Sequence, residues 1–379
     1  MSKTKIPSKV QFRLWRRAAG RCQYEGCNKP LWKDDLTQKE MNASYIAHII
    51  GDSADGPRGD AVLSEKLKAD LSNLMLLCDV HHRLVDDDTA GHPVERLQAM
   101  KRQHEERIEL VTAISPDMKS HIILYGANVG ELNSNLTWSK AAAAMLPSYY
   151  PAEGQSIELG LKNSSLCDHD GSYWNFERQQ LHRQFHEKVK GRLQQGDLRH
   201  LSIFALAPQP LLIELGRLLS DIPAAEVYQL HREPPDWRWQ PHDENFEYVI
   251  CEPADNQSTV VLNLSLSATI TDDRISNVLG ANVSIWKMTN SQVHNDFLQS
   301  REQLRSFRKH FRILLDRIKA RHGQNTVLHI FPAVPVSIAV EIGRVWMPKA
   351  DMVLRIYDQN RQTGGFSVAF DICQEVQKC

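Results

Sequence analysis

Two regimes of hydrophobic spacing divide this chain near Ser115-Pro116. Before that point Val10, Leu14 and Ala18 recur at helical intervals with arginines between them, which predicts a helix over residues 8–19. Two short apolar runs follow, Asn42 to Ile50 and Leu71 to Cys78, each about the length of a strand. A short helix carrying His81, His82 and Asp86 comes next, and Gly91-His92-Pro93 breaks it. Pro93 to Val111 reads as a long charged helix, with Leu97, Met100, His104 and Ile108 along one side.

After the boundary, strand-length apolar runs alternate with helical patterns. His121 to Tyr125 is a strand ending at Gly126. Residues 126–170 are rich in Asn, Ser, Pro and Gly, with one helix expected at 138–145. Asn175 to Gln195 is a charged helix and Leu201 to Ala207 a buried strand. Pro208-Gln209-Pro210 opens a helix over Leu211 to Ser220, and Ala225 to Leu230 is a further strand. The same order returns later. Thr259 to Ser265 and Asn282 to Trp286 read as strands, and Ser291 to His322 as a long helix with Phe297, Leu304, Phe311 and Leu315 inward. Thr326 to Phe331 is a strand, Val336 to Met347 a helix, and Met352 to Tyr357 a closing strand. Alternation of this kind is the grammar of a parallel α/β sheet. Each half has an apolar strand, a proline-bearing turn and a glycine-containing helix: Ala207-Pro208 with Gly216, and Phe331-Pro332 with Gly343. The expected architecture is two Rossmann-like units in tandem, with ligands beyond the carboxyl ends of the strands.

Composition narrows the picture only a little. Apolar content of 42 % and charged content of 24 % are those of a globular protein, and 379 residues suggest two or three domains. There is no membrane-length apolar run, and Met1-Ser2-Lys3-Thr4-Lys5 does not read as a signal peptide. Seven cysteines, three of them suited to a metal, fit a reducing cytosol. A net charge of −1 excludes a bulk polyanion binder, so contact with nucleic acid needs a local basic surface. Arg13, Arg16, Arg17 and Arg21 are candidates for one, and equally for a solvated helix face.

The chemistry-bearing residues concentrate between Cys22 and Asp86. Cys22 and Cys27 have four residues between them, and Cys78 and His81 have two. Two close pairs of soft or borderline ligands suit a closed tetrahedral zinc site, here bridging about fifty residues of chain; the alternative is buried free cysteines. Zinc does not need His48, Asn73, His82 or Asp86. A neutral imidazole at His48 could take a proton from water. His82 could bind a divalent cation that stabilises charge on a phosphate. Asp86, four residues on, shares the helix face of His82. Asn73 could bond backbone across a turn and hold His48 in place. Taken one at a time, each has a bland alternative: a core histidine, a turn asparagine, a helix acid.

Cys22, Cys27, Ala47-His48-Ile49, Asn73 and Leu77-Cys78 followed by His81-His82 together resemble the HNH endonucleases, over roughly residues 10–110. The resemblance implies a ββα-metal fold cutting DNA with one catalytic metal, Mg2+ or another divalent cation. It makes His48 the general base, Asn73 the orienting residue and His82 a metal ligand. Many such nucleases carry a second ligand immediately before the base. Here that position is Ala47, so Asp86, Ser44 or Asp52 would have to supply it.

The remainder, about 119–379, resembles the SAVED domains, which are fused pairs of CARF-like units. The resemblance rests on Ser172-Tyr173-Trp174-Asn175, Val227-Tyr228-Gln229, Asn263-Leu264-Ser265-Leu266-Ser267, and His329-Ile330-Phe331-Pro332-Ala333 with Gly343. There is no P-loop and no dinucleotide glycine motif, which fits a binding rather than a hydrolysing domain. HNH followed by SAVED is the layout of a CBASS anti-phage effector. That implies a nuclease domain over 1–115 with its linker helix and a sensor over 116–379. It also implies a cytoplasmic protein switched on by a cyclic di- or oligonucleotide, which assembles into a homo-oligomer, a tetramer on activation, and degrades double-stranded DNA. A cyclic nucleotide needs aromatic faces and polar donors. Tyr173, Trp174, Trp286 and Phe331 are the candidate faces; Gln209, Ser265, Ser267 and Lys287 are the candidate donors, beside Pro332. Trp237 and Trp239 are either lid or packing. Two other classes remain open: a restriction-type HNH enzyme whose C-terminal region reads modified DNA, and a non-catalytic zinc-clasp DNA or scaffold protein.

Overall fold

The computed structural model describes residues 4–34, 36–128, 136–160, 166, 170–241, 246–360 and 364–373. The chain divides into two units, Met1–Pro116 and Asp117–Cys379. No helix among the described residues is long and apolar enough to cross a membrane.

In the first unit α1 (Ser8–Arg17) starts after Pro7 and buries Leu14. Strand β1 (Ser44–His48) pairs antiparallel with β2 (Leu74–Cys78), reached through α2 (Leu63–Leu67) and a 3-10 turn over Leu71–Asn73. The register sets Ser44 opposite Cys78 and His48 opposite Leu74. Every residue of β2 is buried, which explains its unbroken apolar run. Helices α3 (Asp79–Asp87) and α4 (Val94–Thr112) follow, and α4 is tied to the end of α1 by His104 Nε2 donating to the Ala18 carbonyl (3.0 Å). Leu14, Ala18, Leu31, Ile49, Val85 and Leu97 close one small core around the hairpin.

The second unit holds two sheets. Its elements run β3 (Lys119–Gly126), α5 (Trp138–Met145), β4 (Tyr150–Pro151), β5 (Ile157–Leu159), α6 (Tyr173–Phe185), α7 (Gly191–Gln195), β6 (His200–Leu206), α8 (Gln209–Leu219) and β7 (Ala224–Val227). Then come β8 (Tyr248–Cys251), β9 (Thr259–Ser265), α9 (Asp272–Leu279), β10 (Val283–Asn290), α10 (Arg301–His322), β11 (Val327–Ala333), α11 (Val336–Val345), β12 (Val353–Asn360) and β13 (Gly365–Ile372). The first sheet is parallel, in order β4-β3-β6-β7 with β5 also on β3. The second runs β13-β12-β11-β9-β10-β8, with a parallel interior and antiparallel strands at both edges. One continuous apolar core contains residues of both sheets, from Ile123 and Ile203 to Leu262 and Ile330.

Helices α8 and α11 meet backbone to backbone. A Cβ on Gly216 would overlap the Val340 carbonyl oxygen, and one on Gly343 would overlap that of Ile213. The glycine in each half is therefore a contact requirement, and each serves the other helix. Both helices open on prolines, Pro208 and Pro335, whose fixed φ suits the step from strand into helix.

Several expected elements differ. The long helix begins at Arg301, not Ser291. Ser300 and Gln303 form a reciprocal capping box that starts it, and Phe297 is buried in the irregular stretch before it. The expected 175–195 helix starts at Tyr173 and contains a π-turn over His186–Lys190. Strand β10 continues to Asn290, and Met352–Tyr357 does not close the sheet, because β13 adds an outer strand. The short strands β4, β5 and β8 and helix α9 carry no periodicity strong enough to announce them.

Because each glycine faces a carbonyl rather than a movable side chain, Gly216→Ala and Gly343→Ala should each destabilise the second unit by about 2–3 kcal/mol. Urea unfolding followed by tryptophan fluorescence checks this. Gly154→Ala, where the new methyl meets nothing within 4 Å, is the control expected to be near neutral.

Candidate functional site

The segment around a turn at Cys27, the end of β2 and the first turn of α3 gather the cysteines and one histidine of the first unit. The ligand atoms of Cys22, Cys27, Cys78 and His81 all lie within 4.8 Å of one another. His81 Nδ1 is 3.1 Å from Cys78 Sγ and 3.7 Å from Cys22 Sγ. Zinc bonds of about 2.0–2.3 Å set the donors of a tetrahedron about 3.5–3.8 Å apart, so this set fits zinc with small adjustments. Gly26 and Asn28, at φ of +76° and +50°, turn the chain around Cys27. Gln23 is the anchor: its backbone N–H donates to the Leu76 carbonyl (2.9 Å), and its side-chain oxygen accepts from Leu76 N (2.8 Å). Gln23 thus acts as an extra partner for β2 and fixes Cys22 beside Cys78. The Cys78 N–H points at Cys22 Sγ (3.4 Å). Tyr24 stacks on the His81 ring (4.1 Å between centroids, 7° between planes), and its hydroxyl meets His92 Nε2 at 3.0 Å. Burial pushes the Cys22 thiol well up and holds the His81 imidazole below its ordinary value. Burial alone thus favours a neutral imidazole, the form that ligates.

At the other end of the hairpin, Asn73 holds the end of β1 from both sides. Its Oδ1 accepts from Ile50 N (2.7 Å) and its Nδ2 donates to Ile50 O (2.8 Å). His48, two residues earlier, is 9 % exposed, and its Nε2 lies 2.8 Å from the Lys68 carbonyl. A carbonyl only accepts, so Nε2 carries a proton, and in the neutral tautomer the lone pair is on Nδ1. On α3, His82 Nε2 and Asp86 Oδ2 are 3.9 Å apart, and Tyr45 lies across the His82 ring at 5.1 Å. Of the two other candidate ligands, Ser44 donates through Oγ to Asn42 Oδ1 (2.7 Å), and Asp52 lies in the loop after β1.

Sequence reasoning missed Arg58. Its side chain is 5 % exposed and crosses this region. Nε donates to Ile49 O (2.8 Å), Nη1 to Val85 O, and Nη2 reaches both His48 O (3.4 Å) and Asp86 Oδ1 (3.0 Å). One guanidinium therefore joins the end of β1, where His48 sits, to α3, where Asp86 sits. Nothing in its Gly-Pro-Arg-Gly context distinguishes Arg58 from an exposed loop arginine.

In the second unit the carboxyl ends of β6, β9 and β11 come together. Gln209 Oε1 accepts from Val334 N (3.3 Å), and the Leu266 and Ser267 N–H groups both donate to the Ala333 carbonyl (3.1 and 2.7 Å). Gln229 Oε1 accepts from Ser337 Oγ (2.8 Å) in the first turn of α11. The structure thus brings Gln209, Ser267 and Pro332 together at one end of the sheets. Lys287, half-buried, sits on β10 opposite Asn263. Four of the expected ligand contacts need correction. Trp286 and Phe331 are 1 % and 0 % exposed, so neither offers a face to a base. Trp286 Nε1 donates to His322 (3.0 Å), and Phe331 stacks on Tyr357 (4.3 Å, 11°). Tyr173 is buried and its hydroxyl donates to Asn128 O (2.8 Å). Ser265 is 1 % exposed, donating to Asn263 Oδ1 (2.7 Å) and accepting from Ile270 N (2.9 Å). All four positions fall on strand or helix faces that close the core. Trp174 is half-buried, edge-on to Tyr173 and Phe370. Of the two loop tryptophans, Trp237 is 5 % exposed and packs edge-on to Phe204, so it is packing.

Comparison with protein families matches residues 181–372 to the SAVED family, described as SMODS-associated and fused to various effectors sensor domain. No curated protein matches the chain. Among solved structures, an Acinetobacter baumannii Cap4 SAVED/CARF-domain containing receptor with the cyclic trinucleotide 2'3'3'-cAAA is 13 % identical, over 78 % of this chain and 62 % of that one (TM-score 0.43). Another structure of the A. baumannii Cap4 receptor is 14 % identical, over 82 % and 65 % (0.40). A Moraxella osloensis Cap4 receptor is 12 % identical, over 76 % and 59 % (0.38). The chain spans less than two thirds of the length of each of these receptors.

Asn73→Ala would leave the Ile50 N–H and carbonyl without their side-chain partner in a buried place, so it should destabilise the first unit by on the order of 2 kcal/mol. Amide hydrogen exchange should show early opening at Ile50. Protection equal to that of the unaltered protein would contradict the two-sided role of Asn73.

Proposed function

The chain belongs to the SAVED family of sensor domains, and from that premise we propose that it is a cyclic-oligonucleotide-gated DNA endonuclease of the CBASS type. The first unit is its HNH nuclease and the second its sensor. The observation that carries the reading is the pairing of the SAVED match over residues 181–372 with the four-ligand cluster and the Asn73-fixed His48 in the preceding unit.

In this reading Cys22, Cys27, Cys78 and His81 hold a structural zinc, which replaces the core that so small a hairpin lacks. Lys68 O accepts the hydrogen bond from His48 Nε2, which leaves Nδ1 to take a proton from the attacking water. Asn73 keeps the strand end, and with it His48, in place while that proton moves. His82 and Asp86, whose Nε2 and Oδ2 are 3.9 Å apart, would hold the catalytic divalent cation. When bound, that ion supplies charge stabilisation on the phosphate and its leaving oxygen. Arg58 keeps the second oxygen of Asp86 occupied and so turns Oδ2 toward His82. In this reading the sensor ligand would sit beyond the carboxyl ends of β6, β9 and β11, near Gln209 and Ser267. Occupancy there would drive assembly of the protein into homo-oligomers.

The test is plasmid cleavage with Mg2+ against a panel of cyclic di- and trinucleotides. Cutting should require one member of the panel and coincide with an increase in particle size. Strong ligand-free cutting by the monomer would sink the gating. His48→Ala should lower cutting by at least about a thousandfold, within the range of losing a base together with its placement, and leave ligand binding unchanged. Normal cutting by that variant would remove His48 from the mechanism. Elemental analysis should find one zinc per chain, lost in Cys78→Ser; a zinc-free, folded protein would refute the clasp. If the second unit alone binds modified DNA and no cyclic nucleotide, the restriction-type alternative replaces this one.

A further inference from the structure

At the amino ends of β6 and β7, opposite the end where Gln209 and Ser267 lie, is a cleft of about 440 Å³. Arg301, Arg305 and Arg308 line it from one face of α10, at the i, i+4, i+7 spacing that aligns side chains on a helix, and Arg344 enters from α11. Two carboxylates in the cleft are already engaged. Glu226 pairs with Arg301, and Glu341 pairs with both Arg308 and Arg344 (2.9 Å to the latter). Arg301 also donates to Ser148 Oγ (2.7 Å), and Arg344 Nε to Ser220 O (3.1 Å). These bonds fix the planes of three guanidiniums, while Arg305 stands 71 % exposed with Glu302 at 4.0 Å. Asp221 is the remaining acid of the lining. Four arginines against two glutamates and one aspartate leave the cleft one positive charge in excess.

Next to the arginines, Tyr149 and His200 form a stacked aromatic pair, 4.1 Å apart and 19° between planes, both half-buried and both on the cleft wall. Burial, with the Arg344 cation adding to it, holds His200 down to about 4. At neutral pH its ring is therefore an uncharged aromatic surface, with Nδ1 tied to Ser120 Oγ (2.8 Å).

Forked guanidinium donors beside an aromatic stack are the two elements a nucleotide needs, one for phosphate and one for base. We infer that this cleft binds a nucleotide, its phosphate on Arg305 and the outer edges of Arg301 and Arg308, its base against the Tyr149–His200 pair. The site is separate from the carboxyl-end region and does not depend on the nuclease reading.

The experiment is calorimetric titration of the full chain with AMP, cyclic di-AMP and ribose 5-phosphate. The protein should bind AMP and cyclic di-AMP, with ribose 5-phosphate weaker by about tenfold for want of stacking. Arg305→Glu reverses an exposed charge without touching the core and should weaken the nucleotides at least about tenfold, with Arg305→Lys intermediate. Arg305→Glu binding as tightly as the unaltered protein, or no binding of either nucleotide, overturns the site. Ribose 5-phosphate binding as well as AMP overturns the stacking role. Ligand-gated cleavage that survives in Arg305→Glu leaves the carboxyl-end sensor intact, so the two ideas fail separately.

Discussion

The contact between Gly216 and Gly343 is the constraint on which the second unit is built. Each glycine lets the other helix bring a carbonyl to where a side chain would stand. Two strand-helix units that could otherwise pack at many angles are thereby held at one. The effect at each end of the helices can be traced in bonds. At the start, Gln209 reaches Val334 and Gln229 reaches Ser337. Toward the end, Arg344 reaches the carbonyls of Ser220 and Pro223. The polar groups of both halves therefore meet at two places, above and below the crossing. A fused pair of units is asymmetric by construction, since the residues in equivalent positions differ. Gln209 follows one Pro-bearing turn and Val336 the other, so whatever binds across them meets two different faces.

The first unit is governed by a different shortage. A two-stranded ribbon has little stability of its own, and β1 and β2 are only five residues each. Their ends are therefore held by polar side chains. Gln23 extends β2 along one edge, Asn73 closes the turn after β1, and Arg58 spans from β1 to α3. All three side chains are buried, and all three bond to backbone, so losing any of them leaves backbone carbonyls or N–H groups without that partner. The cysteine and histidine cluster sits at the opposite end of the ribbon from His48, as the Ser44–Cys78 and His48–Leu74 pairings require. One end of a short hairpin can thus be clasped while the other presents an imidazole.

How much of this was legible in sequence differs by kind of signal. Thr259–Ser265 has the bounds its apolar run announced, because a buried parallel strand has no other way to read. The Cys22, Cys27, Cys78, His81 spacing identified a cluster that the fold does assemble, and the glycine in each repeated helix marked the crossing. Failures came where one pattern has two causes. Phe297 matched the period of Leu304 and Phe311, yet the capping pair Ser300 and Gln303 outweighed periodicity and set the helix start. Trp286 and Phe331 suit a base and a core equally, and the core takes them because their strand faces are covered on both sides. Arg58 was invisible for the opposite reason. Its partners are mostly carbonyls, and a carbonyl leaves no mark on composition.

Charge connects these local arrangements to recognition. With a net charge of −1, the chain has no long-range field to draw a polyanion toward it, and beyond about 8–10 Å salt would screen one anyway. Contact with a phosphate must then come from guanidiniums already aimed. The second unit holds several Arg–carboxylate pairs: Arg308 and Arg344 on Glu341, Arg312 on Asp351, Arg355 on Asp371. Each pair cancels charge at a distance while keeping a rigid fork of donors at short range. In the nucleotide site we infer, such forks stand beside the aromatic surface of Tyr149 and His200. There a bare phosphate would gain only the forks, whereas a nucleotide would gain the forks and the stack.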